Sequence, residues 1–516
     1  MASTLVTAID PACSRMATVS MASPCEKRSD FEIRRLSSSF CSSSGICSLR
    51  TTFRQGDRCR AGPWRLTANS SRRRAFAIER CAVARSQAVS SDSRVKTGEN
   101  IGENDPVHEL IIVGAGIAGL AAAVAMNKIG VKSLVLEQSA ALRTTGSALG
   151  VWSNGWRVLD VLGIADRLRA KYSPISGGRF FDQQGNLLKG FELDECPEGP
   201  HELRGVERKF LVETLASLLP PETIRFNNRV VTVKTQAGTF GPIELSLSDG
   251  SVVKTKVLLG ADGVNSVVAK WMGFHETRYV GYIGIRGLAE YPDGQTYGSS
   301  VRQYIGAGSR VGVLPISPTQ VYWFITYNKS NPGPKIQDPN ELKTELLDLF
   351  KTYWPGQEIP VHDLLAHTPV ESLSRAALRD RWNLPGSPPV VQSGVTLAGD
   401  ALHPMTPNLG QGGCCALEDA VILAQTLGQV LLTASEDGDR ITKALEEYAA
   451  ERNRRTLPLT VRAFVMGSLL QISFPPVVFV RDKIAIPKMV NPNYFLGHTL
   501  YDAGQLPVVQ RAPVNK

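Results

Sequence analysis

Residues 108–137 decide the fold of this chain: His108-Glu109-Leu110-Ile111-Ile112-Val113, then Gly114-Ala115-Gly116-Ile117-Ala118-Gly119, then Leu120 through Lys128, Gly130, and Val131 to Leu136 ending at Glu137. The first run is short and continuously apolar, the pattern of a strand buried on both faces of a parallel sheet. The alanine-rich run from Leu120 to Lys128 is a strong helix former, and Gly130 closes it. Each glycine has its own task. Gly114 permits the tight turn, Gly116 lets the backbone approach a pyrophosphate, and Gly119 lets the helix pack closely on the strand. The helix start offers unpaired N–H groups to the anion. Glu137, 23 residues after Gly114, stands where an acid accepts hydrogen bonds from adenosine ribose hydroxyls. Strand, glycines, helix, strand and acid in this order predict a dinucleotide-binding βαβ unit. The unit does not distinguish FAD from NAD.

Two later segments carry the same logic. Val257-Leu258-Leu259-Gly260-Ala261-Asp262-Gly263-Val264-Asn265-Ser266 is a second buried strand running into a glycine turn. Leu397-Ala398-Gly399-Asp400 opens a third, which continues through His403, Pro407 and the run Gly410-Gln411-Gly412-Gly413 into a helix from Cys414 to about Leu432. Asp400 can accept hydrogen bonds from a ribityl chain. The bare N–H groups of 410–413 suit the N1/C2=O edge of an isoalloxazine, which becomes negative on reduction.

Together these residues resemble the class A flavoprotein aromatic hydroxylases, the family of para-hydroxybenzoate hydroxylase, and within it the plant zeaxanthin epoxidase-like branch. The three fingerprints span about 300 residues in the family's order. The resemblance implies an α/β fold, with a Rossmann-like FAD-binding domain interleaved with a mostly antiparallel β-sheet substrate domain and a helical C-terminus. It implies FAD as cofactor, NAD(P)H as co-substrate, and insertion of one oxygen atom from O₂ into a small aromatic or isoprenoid substrate through a flavin C4a-hydroperoxide. Carried over residue by residue, the flavin-binding set is Gly114, Gly116, Ala118, Gly119, Glu137, Gln138, Arg143, Arg208, Asp262, Gly263, Asp400, Pro407, Gly410, Gln411, Gly412 and Gly413. Arg143 and Arg208 match positions that contact FAD phosphates or flavin, with a solvated surface charge as the alternative for each. Asp262 also shapes the NAD(P)H approach.

There are departures. The family's arginine after Ser266 is Ala269 here, followed by Lys270. No second dinucleotide-binding motif is present for a nicotinamide. The phosphopeptide-binding extension of zeaxanthin epoxidase is absent from these 516 residues, and so is the WxWxIP stretch of a halogenase.

The expected domain pattern is discontinuous. Residues 106–170, 205–275 and 390–435 form the FAD domain, 171–204 and 276–389 the substrate domain, and 436–516 a C-terminal helical segment. Alternating aromatic stretches between the second and third fingerprints read as antiparallel strands. Tyr282, Arg286, Tyr304 and Trp323 are the substrate-side candidates, sheet packing being the alternative for each. No catalytic triad, carboxylate pair or metal cluster stands out, and no metal is expected. In this chemistry the cofactor carries the reaction and the protein supplies binding and a dry pocket. His403, before Pro404, reads as structural rather than as a base. Two other functions use the same scaffold: a flavin-dependent reductase, and a degenerate FAD-binding regulatory protein.

Charge and cysteines bound the rest. The net charge of +9 resides wholly in residues 1–94, which hold 16 Lys or Arg against 7 Asp or Glu, while the other 422 residues hold 41 of each. The basic pI therefore predicts no nucleic-acid partner. The leader is rich in Ser and Arg, with Arg72-Arg73-Arg74, and lacks the apolar core of a secretory signal. Its composition predicts disorder. It looks like a plastid transit peptide, with a mitochondrial presequence and an addressless tail as rivals. The resulting location is the chloroplast, in the stroma or peripherally on a membrane. Six of nine cysteines lie in the leader, and the body keeps Cys196, Cys414 and Cys415, too few for a disulfide framework. Ala463 to Val480 holds 18 uncharged residues but includes Pro475-Pro476, so it reads as a helix that breaks. Docking on the body is the first reading and peripheral membrane contact the second.

Overall fold

The computed structural model describes residues 106–142, 148–236, 240–334, 336, 338–354, 360–489 and 496–508. The leader and Arg143 lie outside the described residues. Strand His108–Val113 is the centre of the first sheet, parallel to Ser133–Leu136 on one side and Val252–Gly260 on the other. Ile224–Arg225 extends one edge in parallel, and Val395–Leu397 adds in parallel to the end of Val252–Gly260. Ile243–Leu247 and Val230–Lys234 complete the sheet in antiparallel orientation. The edge strand Ile224–Arg225 is not buried, but the apolar runs 110–113, 134–136, 257–259 and 395–397 are, as strands covered on both faces require. Their C-terminal ends deliver Gly114, Ala261 and Ala398 to one edge, so all three glycine-bearing turns emerge side by side.

Helix Ile117–Lys128 packs on one face beside helix Gly412–Leu423. The second helix, extended to Thr433, is long and apolar enough to cross a membrane, but most of it is buried inside the protein, as befits a core helix.

The second sheet has seven strands in the order Ser374–Asp380, Arg278–Glu290, Gln320–Asn328, Ser309–Ser317, Ser300–Ile305, Gly177–Phe181, Leu187–Glu192. All neighbours are antiparallel except Ser300–Ile305 with Gly177–Phe181. Both faces of this sheet are covered. One carries Val311, Val313, Val321, Trp323, Ile325 and Tyr327 against helices Pro339–Tyr353 and Val361–Ala366. The other looks toward the glycine-rich turns.

Helix Gly438–Leu470 runs past that second face and meets Pro475–Lys488 at 108°. The long helix ends at Leu470, with Pro458 inside it, and Pro475-Pro476 open the next helix at its first two positions, where no helical N–H donor is required.

Candidate active site

The glycine turns are built as their spacing demands. Gly114 has φ +104°, and a Cβ there would lie 2.6 Å from the Ala261 carbonyl oxygen. At Gly119 a Cβ would come within 2.0 Å of the Gly114 carbonyl oxygen, so only glycine permits this helix–strand contact. Ala118 is buried and faces Gly399, where a Cβ would approach its methyl to 2.8 Å. Glu137 is also buried, and its carboxylate accepts from the N–H groups of Ala115 and Ser139, both at 2.9 Å. Gln138 lies exposed at the same strand end and accepts from Arg229 Nε at 3.3 Å. The side chain of Arg208, first residue of helix Arg208–Ala216, reaches the turn, 3.9 Å from where a Gly116 Cβ would stand.

The second and third turns supply polar atoms with nothing of the protein to satisfy them. Asp262 accepts from the Val267 N–H at 2.7 Å through one oxygen, while its other oxygen is buried without a partner. Burial raises its pKa against hydrogen bonds from Ser266 and Val267. Gly263 has φ +81° and open space around it. Asp400 opens into a cavity, so its accessible surface belongs to that cavity rather than to the outside. Burial raises its pKa, opposed by His403, Arg208 and Arg286. A Cβ on Gly412 would lie 4.0 Å from the Asp400 carboxylate. The helices starting at Ile117 and Gly412 have no side-chain N-cap and no acid in their first turns. Unsatisfied helix N–H groups, unfilled glycine cradles and unpartnered carboxylate oxygens together fit a large anionic dinucleotide.

A buried ion network holds the third turn in place. Asp419 accepts from the Gly399 N–H at 2.6 Å, from His403 Nε2 at 2.8 Å and from Arg452 Nε at 2.6 Å. Glu418 accepts from Arg452 at 2.7 Å, from Arg455 and from Asn154, whose amide also binds Gln411 Oε1 at 2.8 Å. Gln411 is fully buried, its Oε1 accepting from Asn154 while its Nε2 has no partner. His403 is structural, as its position beside Pro404 suggested.

The cavity measures about 510 Å³ and lies between this turn and the second sheet. Asp400, Pro407, Gly410, Gly412 and Gly413 floor it, and Met466, Leu469, Leu470 and Ile486 close one side. Of the four substrate-side candidates, only Arg286 lines it. Trp323 lies on the opposite face, fully buried, its indole N–H donating to Thr368 Oγ1 at 2.8 Å. Tyr304 is on that opposite face too, stacked on Phe181 with centroids 4.9 Å apart. Tyr282 is buried behind the wall, accepting from Asn408 Nδ2 at 2.9 Å. For Trp323 and Tyr304 the reason is strand parity, whereas Tyr282 shares the parity of Arg286 and lies outside the cavity lining with its hydroxyl against Asn408 and Gly467. Side chains alternate across a sheet, so the neighbours of Trp323, namely Tyr322 and Phe324, face the cavity instead. Phe324 sits across from Arg286 on one strand and Gly312 on the other, and Gly312 makes room for its ring.

Arg310 is the wall residue that sequence reasoning missed. It is buried, donates to Asn408 Oδ1 at 2.8 Å and stacks over Phe324, while its Nε has no partner. No carboxylate pairs with it among the described residues, and burial lowers its pKa to about 10. One charged residue in an otherwise apolar strand, Ser309–Ser317, was the available signal.

Residues 108–463 match the family model described as an FAD binding domain. The chain is 37% identical over 386 residues to Monooxygenase 2 of Arabidopsis thaliana, covering 72% of this chain and 91% of that one. It belongs to the FAD-dependent monooxygenase family. Zeaxanthin epoxidase, chloroplastic, of Spinacia oleracea is 28% identical over 75% of this chain and 59% of its own length. The crystal structure of Klebsiella pneumoniae HpxO complexed with FAD and uric acid superposes with a TM-score of 0.64 at 27% identity, covering 76% of this chain and 96% of that one. This monooxygenase is thus an oxidoreductase that binds FAD, with the mixed α/β fold and helical C-terminus expected of it.

Proposed function

We propose that this flavoprotein uses NAD(P)H and O₂ to hydroxylate or epoxidise a small, largely apolar substrate that presents an anionic or strongly accepting oxygen. The carrying observation is the cavity itself. Its floor is the Asp400 and Gly410–Gly413 turn, and its roof is an apolar sheet face bearing a buried arginine that lacks a carboxylate. A buried cation is costly unless something compensates it. A substrate oxygen supplies that compensation.

Bound FAD would supply the redox chemistry, with electrons from NAD(P)H to O₂, one oxygen atom to the substrate and the other released as water. The residues of the chain do the rest. Glu137 would hold the ribose, Arg208 and the uncapped helix start at Ile117 the pyrophosphate, and Asp400 the ribityl chain. The N–H groups at the start of helix Gly412–Leu423 favour negative charge at the flavin edge. Asp262, beside the first turn, borders the NAD(P)H approach. Arg310, still cationic at neutral pH with a pKa of about 10, orients the substrate, and Phe324, Leu314 and Leu470 exclude water. The plastid location is supported by the basic, Ser-rich leader and by the chloroplastic relative.

The test is NADPH oxidation by the purified yellow protein under ¹⁸O₂, across phenolic and isoprenoid acceptors. One ¹⁸O atom per product is expected. Turnover that continues without oxygen and yields a reduced product would overturn the proposal in favour of a reductase. A fluorescent fusion of residues 1–94 should enter plastids, and mitochondrial import would refute that location.

A further inference from the structure

The bent C-terminal segment has two faces, and only one is accounted for. Its inner side is packed: Met466, Leu470 and Ile486 pack with Ile305, Phe180 and Leu188 of the second sheet, and the first three also line the active-site cavity. The bend is pinned from inside by Arg481, which is 1% exposed, pairs with Asp482 and donates to the carbonyl oxygens of Leu470 and Gly306, both at 3.2 Å. Such anchoring makes the outer side a held surface.

That outer side is apolar. Val465, Phe474, Phe479, Val480 and Ile484 are five of the large hydrophobic side chains exposed among the described residues, all within twenty positions. Phe474 and Phe479 are each 62% exposed, and no other phenylalanine among the described residues is comparably open. Isolated exposed leucines and valines are ordinary, but a cluster with two phenylalanines marks an interaction surface. The charges along the segment are mostly positive. From Arg462 to Lys488 the sequence holds Arg462, Arg481, Lys483 and Lys488 against the single acid Asp482. Asp482 is committed to Arg481, and Arg462, Lys483 and Lys488 are exposed, Lys483 with Asp182 3.9 Å away. Neither arm of the bend is a free membrane-spanning helix, because each buries one side against the protein.

We propose that this elbow docks the enzyme peripherally on an anionic lipid surface, its phenylalanines entering the acyl boundary and its Arg and Lys side chains meeting the headgroups. Exposed aromatic and aliphatic side chains rimmed by cations are the composition of interfacial binding. A second copy of the chain would need charges complementary to its own rim, which the elbow does not offer. The same short segment has its outer residues at the lipid and its inner residues Met466, Leu470 and Ile486 at the cavity wall, so a bilayer-dissolved substrate would have a short way in. Docking itself does not depend on the proposed reaction.

The test is co-sedimentation of the full chain carrying its flavin with vesicles of phosphatidylcholine alone or with 30 mol% phosphatidylglycerol. Binding to the anionic vesicles is expected. It should fall at least tenfold in Phe474→Ser/Phe479→Ser/Ile484→Ser and weaken severalfold in Lys483→Gln/Lys488→Gln or at raised salt. The visible flavin spectrum of each variant reports that it is folded, and because binding needs no turnover, a failed oxygenation assay leaves this result standing. Absence of wild-type binding to either vesicle, or equal binding by the serine variant, overturns the proposal. A wild-type dimer that the serine variant converts to monomer overturns it as well, in favour of a self-association surface.

Discussion

Replacing Arg452 by Met tests whether the buried ion network is the frame of the flavin turn. The Arg452 guanidinium is fully buried and spans Asp419 at 2.6 Å and Glu418 at 2.7 Å, both carboxylates being 0–1% exposed. Methionine keeps much of the apolar stem and removes the charge. Glu418 would retain Arg455 and Asn154, and Asp419 would retain His403 and the Gly399 N–H. Breaking one side of a buried pair leaves an undercompensated charge and costs about 3–5 kcal/mol. With a urea slope of roughly 3 kcal/mol/M, the unfolding midpoint should fall by about 1–1.7 M. The pH dependence carries an independent signature. Burial pushes Asp419 up, but His403, Arg452 and the Gly399 N–H outweigh it and hold its pKa down to about 2. A depressed carboxylate pKa gives stability that is complete above the unfolded value of about 4 and is lost as pH falls through the folded one. That contribution is roughly 2–3 kcal/mol. The variant forgoes the part that Arg452 supplies, His403 and the Gly399 N–H keeping the rest, so the stability gap between the two proteins should narrow by that part as pH is lowered from about 4 toward 2. Because Asp419 also holds the Gly399 N–H, the residue before Asp400, FAD affinity should fall together with stability. A midpoint shift below about 0.3 M, the size expected of a surface pair, would refute the argument, as would a gap that does not change with pH.

Four further outcomes separate the parts of the site. Asp400→Ala should lose FAD, read from the visible spectrum, while circular dichroism stays unchanged; wild-type flavin affinity would remove Asp400 from the cofactor site. Gly119→Ala would place a methyl 2.0 Å from the Gly114 carbonyl oxygen, so the turn must shift and both FAD content and thermal stability should drop, the latter by at least about 2 kcal/mol as for other overpacked sites. Arg310→Met should raise KM at least tenfold with FAD content intact. It should also leave the fold equally or more stable, because it replaces an unpaired buried charge with an apolar chain; unchanged KM would sink the substrate role. Trp323→Phe should cost about 1–2 kcal/mol through the lost bond to Thr368, leaving its hydroxyl short of a partner, with KM unchanged; a KM effect would contradict its placement on the far face.

The parallel sheet and its three turns were legible because each imposes local rules. Gly114 and Gly119 are fixed by backbone clearances that no other residue satisfies, and the spacing to Glu137 is set by one strand–helix–strand unit. Glu418, Asp419, Arg452 and Arg455 were overlooked since acids in a helix usually read as a solvated face. Their burial arises only when helix Gly438–Leu470 crosses Gly412–Leu423, a contact between segments that sequence spacing does not encode. An acidic pair inside the otherwise apolar run from Cys414 to Leu432 was the clue, since such a pair cannot stay buried without cations.

The substrate wall failed differently, through parity. An antiparallel strand with one wet face shows polar and apolar residues in alternation, which tells inside from outside. Gln320–Asn328 shows no such contrast, because Trp323, Ile325 and Tyr327 pack under two helices while Tyr322 and Phe324 roof a cavity. Both rows are aromatic, so bulk alone favoured the wrong one. Arg310 could have chosen between them. A guanidinium is tolerated in a covered strand only where it finds an acceptor or a ligand, so the face bearing Arg310 is the face of the cavity. Antiparallel pairing then carries that assignment to Thr326 opposite Arg310 and, two residues along the same face, to Phe324, which stands opposite Arg286. One misfit charge, followed across the register, therefore selects Phe324 over Trp323 and retains Arg286.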